Sequence, residues 1–204
     1  FLRAIKSKNT KIVIYLTDSI KSPGLTSVFK NINPRMIDLI ITSKDKELSD
    51  FLSQGYTCIY DQQRISKSQC HSVNFENKPT ELMYAADFTK PKLNQIRSLI
   101  PVDKSCFVYG RNWPKEPGLI IKGWLHGDDY FTQINSTKVA LGIQNLEMND
   151  TLTTRIFEIP SAGSLLAANR FPEIEHVFGD SIIYFDECPG RIAEVLRDDE
   201  LCEM

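Results

Sequence analysis

D-T-L-T-T-R-I-F-E-I-P-S-A-G-S-L-L-A-A-N-R, residues 150–170, is the stretch whose reading decides the fold. It predicts a turn, a short helix and a buried strand. Asn149 and Asp150 are loop residues whose side chains can accept hydrogen bonds from free helix N–H groups, which makes both candidate N-caps. Leu152, Ile156, Phe157 and Ile159 supply an apolar stripe. Pro160 is expected to end the helix, because proline removes a donor and clashes with the preceding turn. Gly163 allows a tight turn or a close backbone approach. Residues 164–168 are short, apolar and bounded by polar residues, as a strand buried in a parallel sheet would be. Thr153, Thr154 and Arg155 mark a candidate anion site. Free N–H groups, the helix dipole and a guanidinium would act there in the same direction. Glu158 lies one turn further on, within reach of a polar group attached to that anion.

Outward from this stretch, strand and helix patterns alternate. In the first third, residues 11–17, 36–42 and 56–60 read as apolar, β-branched strands. Residues 25–32 and a segment opening at Ser43 and closing at Gly55 read as the helices between them. In the second half, residues 81–86, 105–109, 118–125, 138–143 and 181–185 read as strands. Residues 91–100, 128–137, 172–178 and 189–196 read as helices. Strands separated by helices predict parallel sheets with right-handed crossovers. Residues 61–80 are polar and lack periodicity, so they read as a linker; His71 within it is taken as solvated or structural. The expectation is two α/β lobes, residues 1–70 and 71–204.

Composition narrows the function classes. The chain has 204 residues, 24 basic and 26 acidic, for a formal charge of −2. That balance argues against a dedicated nucleic-acid binder but permits a local basic site. No apolar run approaches the roughly 20 residues needed to span a bilayer, and no secretory signal is read at the start. The five cysteines, Cys58, Cys70, Cys106, Cys188 and Cys202, form no C-x-x-C pair. Neither a disulfide framework nor a zinc site is expected, and reduced thiols imply a cytoplasmic setting.

Three further places in the second half could carry chemistry. Arg111, in Gly110-Arg111-Asn112-Trp113, follows a strand end, where α/β sheets bind ligands; it is a candidate phosphate contact or an exposed loop arginine. His126, before a helix, could donate to a phosphate or a sugar, and is also a candidate catalytic base if it comes within hydrogen-bond reach of an acceptor. Asp128 and Asp129 fit helix capping and dipole pairing better than a metal pair.

R-I-F-E-I-P-S-A-G, residues 155–163, resembles the nucleotide-sugar-binding motif of GT-B glycosyltransferases, in particular the CgeB-like (spore-maturation-protein type) group. Asp150 and Glu158 have the spacing of that pattern's two acidic residues, with Asp150 standing where the pattern has Glu, and Gly163 follows Glu158 by five. Gly123, Gly127 and Tyr130 resemble the group's G-x-x-x-G-x-x-Y segment. The resemblance implies a GT-B-like α/β fold, Rossmann-type parallel sheets flanked by helices, with an incomplete N-terminal lobe. It implies transfer of a sugar from a nucleotide diphosphate sugar to an unknown acceptor. Arg111, Asp150, Thr153, Thr154, Arg155, Glu158 and Gly163 would bind the donor nucleotide, with no metal and no cofactor. Glu158 suits two ribose hydroxyls, since an ionised carboxylate only accepts. Arg155 suits the diphosphate, whose charge grows as the glycosidic bond breaks. The alternative is a non-catalytic nucleotide-sugar-binding subunit that needs a partner chain for the acceptor half.

Overall fold

The computed structural model describes residues 10–62, 65–71, 78–145 and 150–198. They divide into two compact units. One runs to residue 64 and also takes in residues 145–153; the other comprises the remainder from residue 65.

The first unit is wound as β1 (Val13–Leu16), α1 (Pro23–Lys30), β2 (Leu39–Thr42), α2 (Asp45–Ser53) and β3 (Cys58–Tyr60). The strands are parallel in the order β1-β2-β3. Ile14, Ile40 and Cys58 lie in register and pack with Phe29 of α1, Phe51 of α2 and Tyr56. The three rings meet edge to face at 5.5–5.9 Å, the arrangement their quadrupoles favour. Glu47 is fully buried in this unit, and it accepts from the Ser19 hydroxyl and from the Ile20 N–H at 3.1 Å. A buried carboxylate is tolerated only when satisfied in this way. Asp150 is ion-paired with the buried Lys44.

The second unit contains β4 (Thr80–Ala85), α3 (Lys90–Leu99), β5 (Cys106–Tyr109), β6 (Leu119–Lys122), α4 (Gly127–Asn135) and β7 (Thr137–Gly142). It continues with α5 (Thr154–Ser161), β8 (Leu165–Ala168), α6 (Pro172–Phe178), β9 (Ile183–Tyr184) and α7 (Gly190–Arg197). All six strands are parallel, in the order β6-β5-β4-β7-β8-β9. Because side chains alternate along a strand, Leu82, Tyr84, Val139 and Leu141 pack with Leu93 and Ile96 of α3 and Ile192 and Val195 of α7. Met83, Ala85 and Ala140 instead meet Tyr130 and Ile134 of α4 and Ile159 of α5. Lys78 donates to the carbonyls of Asn135 and Gly163, both at 2.6 Å, and so places a cation at the C-terminal ends of α4 and α5. The fold is thus α/β, with Rossmann-like parallel sheets flanked by helices.

Local details correct several sequence expectations. Asp150 is no N-cap of α5, which starts at Thr154; its carboxylate is held by Lys44 instead. Pro160 does not end α5 but lies inside it, as the penultimate residue. So close to the C-terminus, proline forfeits one backbone bond and the turn absorbs it. The terminator is Gly163, at φ 85°: its N–H reaches Pro160 O at 3.0 Å, and the Ser164 N–H reaches Ile159 O at 3.2 Å. That pair of bonds is a Schellman cap. The strand expected over 118–125 ends at Lys122, which leaves Gly123 to His126 as a loop. The strand expected over 36–42 begins only at Leu39, because Asn33 accepts from the Arg35 N–H and starts a 3-10 turn at Pro34–Met36. Cys58, Cys70, Cys106 and Cys188 are free thiols, and Cys202 lies outside the described residues.

Candidate functional site

In the six-stranded sheet the winding starts at β4 and leaves in both directions, to β5 and to β7. Loops at the carboxyl ends of β4 and β7 therefore diverge, and ligands of open α/β sheets bind at such a switch point. A cavity of about 440 Å³ opens there. Its floor is Ala85 and Ala86 after β4 and Tyr109 and Gly110 after β5. The 124–127 loop, Tyr130 and Phe131 of α4, Arg155 and Glu158 of α5, and Gln69 form the rest.

Gly110 is what lets the β4 and β5 ends come together. It has φ 142°, and a Cβ there would sit 2.1 Å from the Ala86 carbonyl oxygen. Beside it the buried Trp113 donates from Nε1 to Ala86 O at 2.8 Å and packs edge to face on Tyr84 and Phe88.

Arg155 and Glu158 share one face of α5 because residues three apart in a helix are neighbours. The Tyr130 hydroxyl donates to Glu158 Oε2 at 3.0 Å. Arg155 in turn hydrogen-bonds Tyr130, lies with its guanidinium 5.5 Å from the Tyr84 ring centre, and reaches Ile143 O at 3.4 Å. Burial alone would favour the neutral guanidine. The phenols of Tyr84 and Tyr130 and the Glu158 carboxylate outweigh it, so the net shift is upward and Arg155 stays a cation. Burial drives the Tyr130 phenol well above its ordinary value, so it remains a donor to Glu158. The cavity thus holds one oriented cation and one oriented carboxylate. The first suits an anionic group; the second suits a pair of hydroxyls.

Next to Trp124 but outside the cavity lining, Asp87 after β4 grips Arg111. The Arg111 backbone N–H donates to Oδ1 at 2.9 Å, Nε reaches both carboxylate oxygens at 3.2 and 3.0 Å, and Nη2 reaches Oδ2 at 2.5 Å. The Asp87 carboxyl is held below its ordinary range by these bonds, the side-chain one first. The guanidinium lies 4.9 Å from the centre of the Trp124 ring.

Of the residues predicted as donor-binding, the structure brings Arg155 and Glu158 to the cavity, and it places the catalytic candidate His126 there too. Thr153 and Thr154 are half-buried at the start of α5 and do not line it. Arg111 is exposed and engaged with Asp87, Asp150 is paired with Lys44, and Gly163 is the helix terminator. Tyr130 and Trp124 are the site residues that pattern reading left out of the binding set. Tyr130 was visible in the G-x-x-x-G-x-x-Y segment, but nothing in its spacing told of Glu158. Among the described residues, no group of three His, Cys, Asp or Glu is placed to hold a metal ion. No described helix is long and apolar enough to cross a membrane.

A parallel sheet wound from a central switch point, with a cation and a carboxylate on the helix beyond it, is an open α/β arrangement whose ligands bind beyond the carboxyl ends of the strands. The chain belongs to the glycosyl transferase-like family, whose model matches residues 92–203, just over half of it. The fold is also that of a DNA-modifying β-glucosyltransferase solved in the presence and absence of uridine diphosphoglucose (TM-score 0.64, 13% identity, 95% of this chain and 65% of that one). The T4 phage enzyme BGT in complex with UDP and Mn2+ gives TM-score 0.64 and 14% identity, covering 95% of this chain and 66% of that one. The chain therefore spans about two thirds of the length of these GT-B neighbours. No curated protein matches.

Proposed function

We propose that this chain carries the donor-binding part of a GT-B glycosyltransferase of the CgeB-like group, which moves a sugar from a nucleotide diphosphate sugar to an acceptor. The observation that carries the proposal is that Arg155 and Glu158 lie together on one face of α5 and both line the switch-point cavity. Arg155 would take the diphosphate and stabilise the charge that grows as the glycosidic bond breaks, with no metal required of the protein. Glu158, already oriented by Tyr130, would accept from the ribose hydroxyls. The unit that begins at residue 65 would form the donor domain, and the unit that runs to residue 64 and takes in residues 145–153 a partial N-terminal lobe. The structural neighbour is a DNA-modifying enzyme, but a formal charge of −2 gives this chain no general attraction to a polyanion.

Calorimetric titration with UDP, ADP and GDP, with and without Mn2+ or EDTA, tests this reading. Arg155→Ala should lose roughly 1.5–3 kcal/mol against the preferred diphosphate and little against its nucleoside. Glu158→Gln should weaken both alike, and a 2′,3′-dideoxy analogue much less. Unchanged affinity in both variants would place the donor site elsewhere, and binding that vanishes in EDTA would refute metal independence. A second reading is a nucleotide-sugar-binding subunit completed by a partner chain. Sugar transfer by the isolated chain would exclude it.

A further inference from the structure

At the cavity mouth, the Trp124 Nε1–H donates to His126 Nδ1 at 2.8 Å. An indole nitrogen can only donate, so His126 Nδ1 must be the acceptor and the proton of the neutral imidazole must sit on Nε2. Both side chains are exposed, Trp124 at 46%. Trp124 lies between His126, whose ring centre is 5.3 Å away, and the Arg111 guanidinium, which Asp87 holds. The chain Asp87, Arg111, Trp124, His126 runs across the carboxyl ends of three adjacent strands, β4, β5 and β6. His126 occupies the N-cap position of α4 but makes no side-chain capping bond, so its ring serves no helix-end role. It lines the cavity that also holds Arg155 and Glu158.

We propose that Trp124 locks His126 as an Nε2–H donor to an anionic oxygen of the ligand, so that His126 binds and orients the ligand and is not the proton-accepting base. This rests on the donor-site reading above. Trp124, Arg111 and Asp87 are then positioning residues that act through His126. A neutral imidazole with Nε2–H has its one accepting nitrogen already occupied by indole, which leaves it nothing with which to remove a proton from an acceptor hydroxyl.

Two measurements test it. Long-range 15N–1H NMR of the free protein above the histidine titration range, with the His126 signals assigned by their loss in His126→Gln, should show a protonated Nε2 and an unprotonated Nδ1. Trp124→Phe should turn this into a mixture of tautomers. Titration with the tightest binder among UDP, ADP and GDP should then show about a tenfold loss for His126→Ala, the worth of one hydrogen bond to a charged group. His126→Gln should recover most of it, since a Gln amide N–H can stand where Nε2–H stood but cannot act as a base. A wild-type Nδ1–H tautomer, or a Gln variant that loses as much as Ala, would overturn the proposal. Equal binding by His126→Ala and a wild type that binds its diphosphate would sink this inference alone. A wild type that binds none of the three would remove the donor-site reading along with it, whatever the tautomer.

Discussion

The two sheets of this chain are built from the same strand-helix unit and end up with opposite surfaces. In the three-stranded sheet the chain steps the same way twice, β1 to β2 to β3. Right-handed crossovers then deliver both helices to one face. The other face carries the register row Tyr15, Ile41 and Ile59, with Val13 one step before; Val13 is 54%, Tyr15 46% and Ile59 48% exposed. In the six-stranded sheet the chain leaves β4 in both directions, so the helices fall on both faces, and Met83 and Tyr84 are each buried, on opposite sides. The same reversal parts the loops at the β4–β7 boundary and opens the cavity. Winding direction thus decides both burial and the place of the site. A sheet wound one way has no switch point at which a crevice can form.

Substitutions can break or sharpen this contrast. The largest effect should come from Gly110→Ala, whose Cβ would collide with the Ala86 carbonyl at a backbone angle that side chains avoid. About 3 kcal/mol or more should be lost in urea unfolding. Gly24→Ala, in α1 of the other unit with nothing within 4 Å of the new methyl group, should be neutral or stabilise by up to about 1 kcal/mol. Comparable losses at both positions would mean that the tight β4–β5 junction is misread.

Next, Met83→Ala should cost about 2–5 kcal/mol, as truncation of a fully buried side chain does. Tyr15→Ala, on the open face, should cost less than about 1 kcal/mol. A large loss at Tyr15 would show that something covers that face in solution.

The smallest effect is in pH. Arg111 lowers the Asp87 carboxyl, chiefly through its side-chain hydrogen bond. The pair's contribution is therefore present at neutral pH and fades as pH falls through and below the ordinary carboxylate range, near pH 4. The stability difference between wild type and Asp87→Asn, followed by urea unfolding from neutral to acid pH, should shrink towards zero. A constant difference would show that Asp87 acts through shape instead.

Much of this was legible in the sequence because it rests on local pattern. Short β-branched runs, each followed by a helical period, predict α/β order, and the spacing of Arg155 and Glu158 puts them on one helix face. The glycine at 163 was visible as a turn residue, but its partner bonds, not Pro160, fix where α5 stops. The reach of strand β6 was overread, since I-I-K-G-W-L looks continuous while Gly123 releases Trp124 to the cavity. Periodicity by itself determined which segments are strands and helices and which faces they bury, because those follow from a side chain's nearest neighbours in the chain. Only the tertiary structure decided the partners: Lys44 for Asp150, Asp87 for Arg111, Tyr130 for Glu158 and Trp124 for His126. Each of those bonds but the last joins residues more than twenty positions apart, and even the last depends on the strand's ending early. Charge and hydrogen-bond capacity are written in the sequence; the distance over which they are spent is set by how the strands are ordered in the sheet.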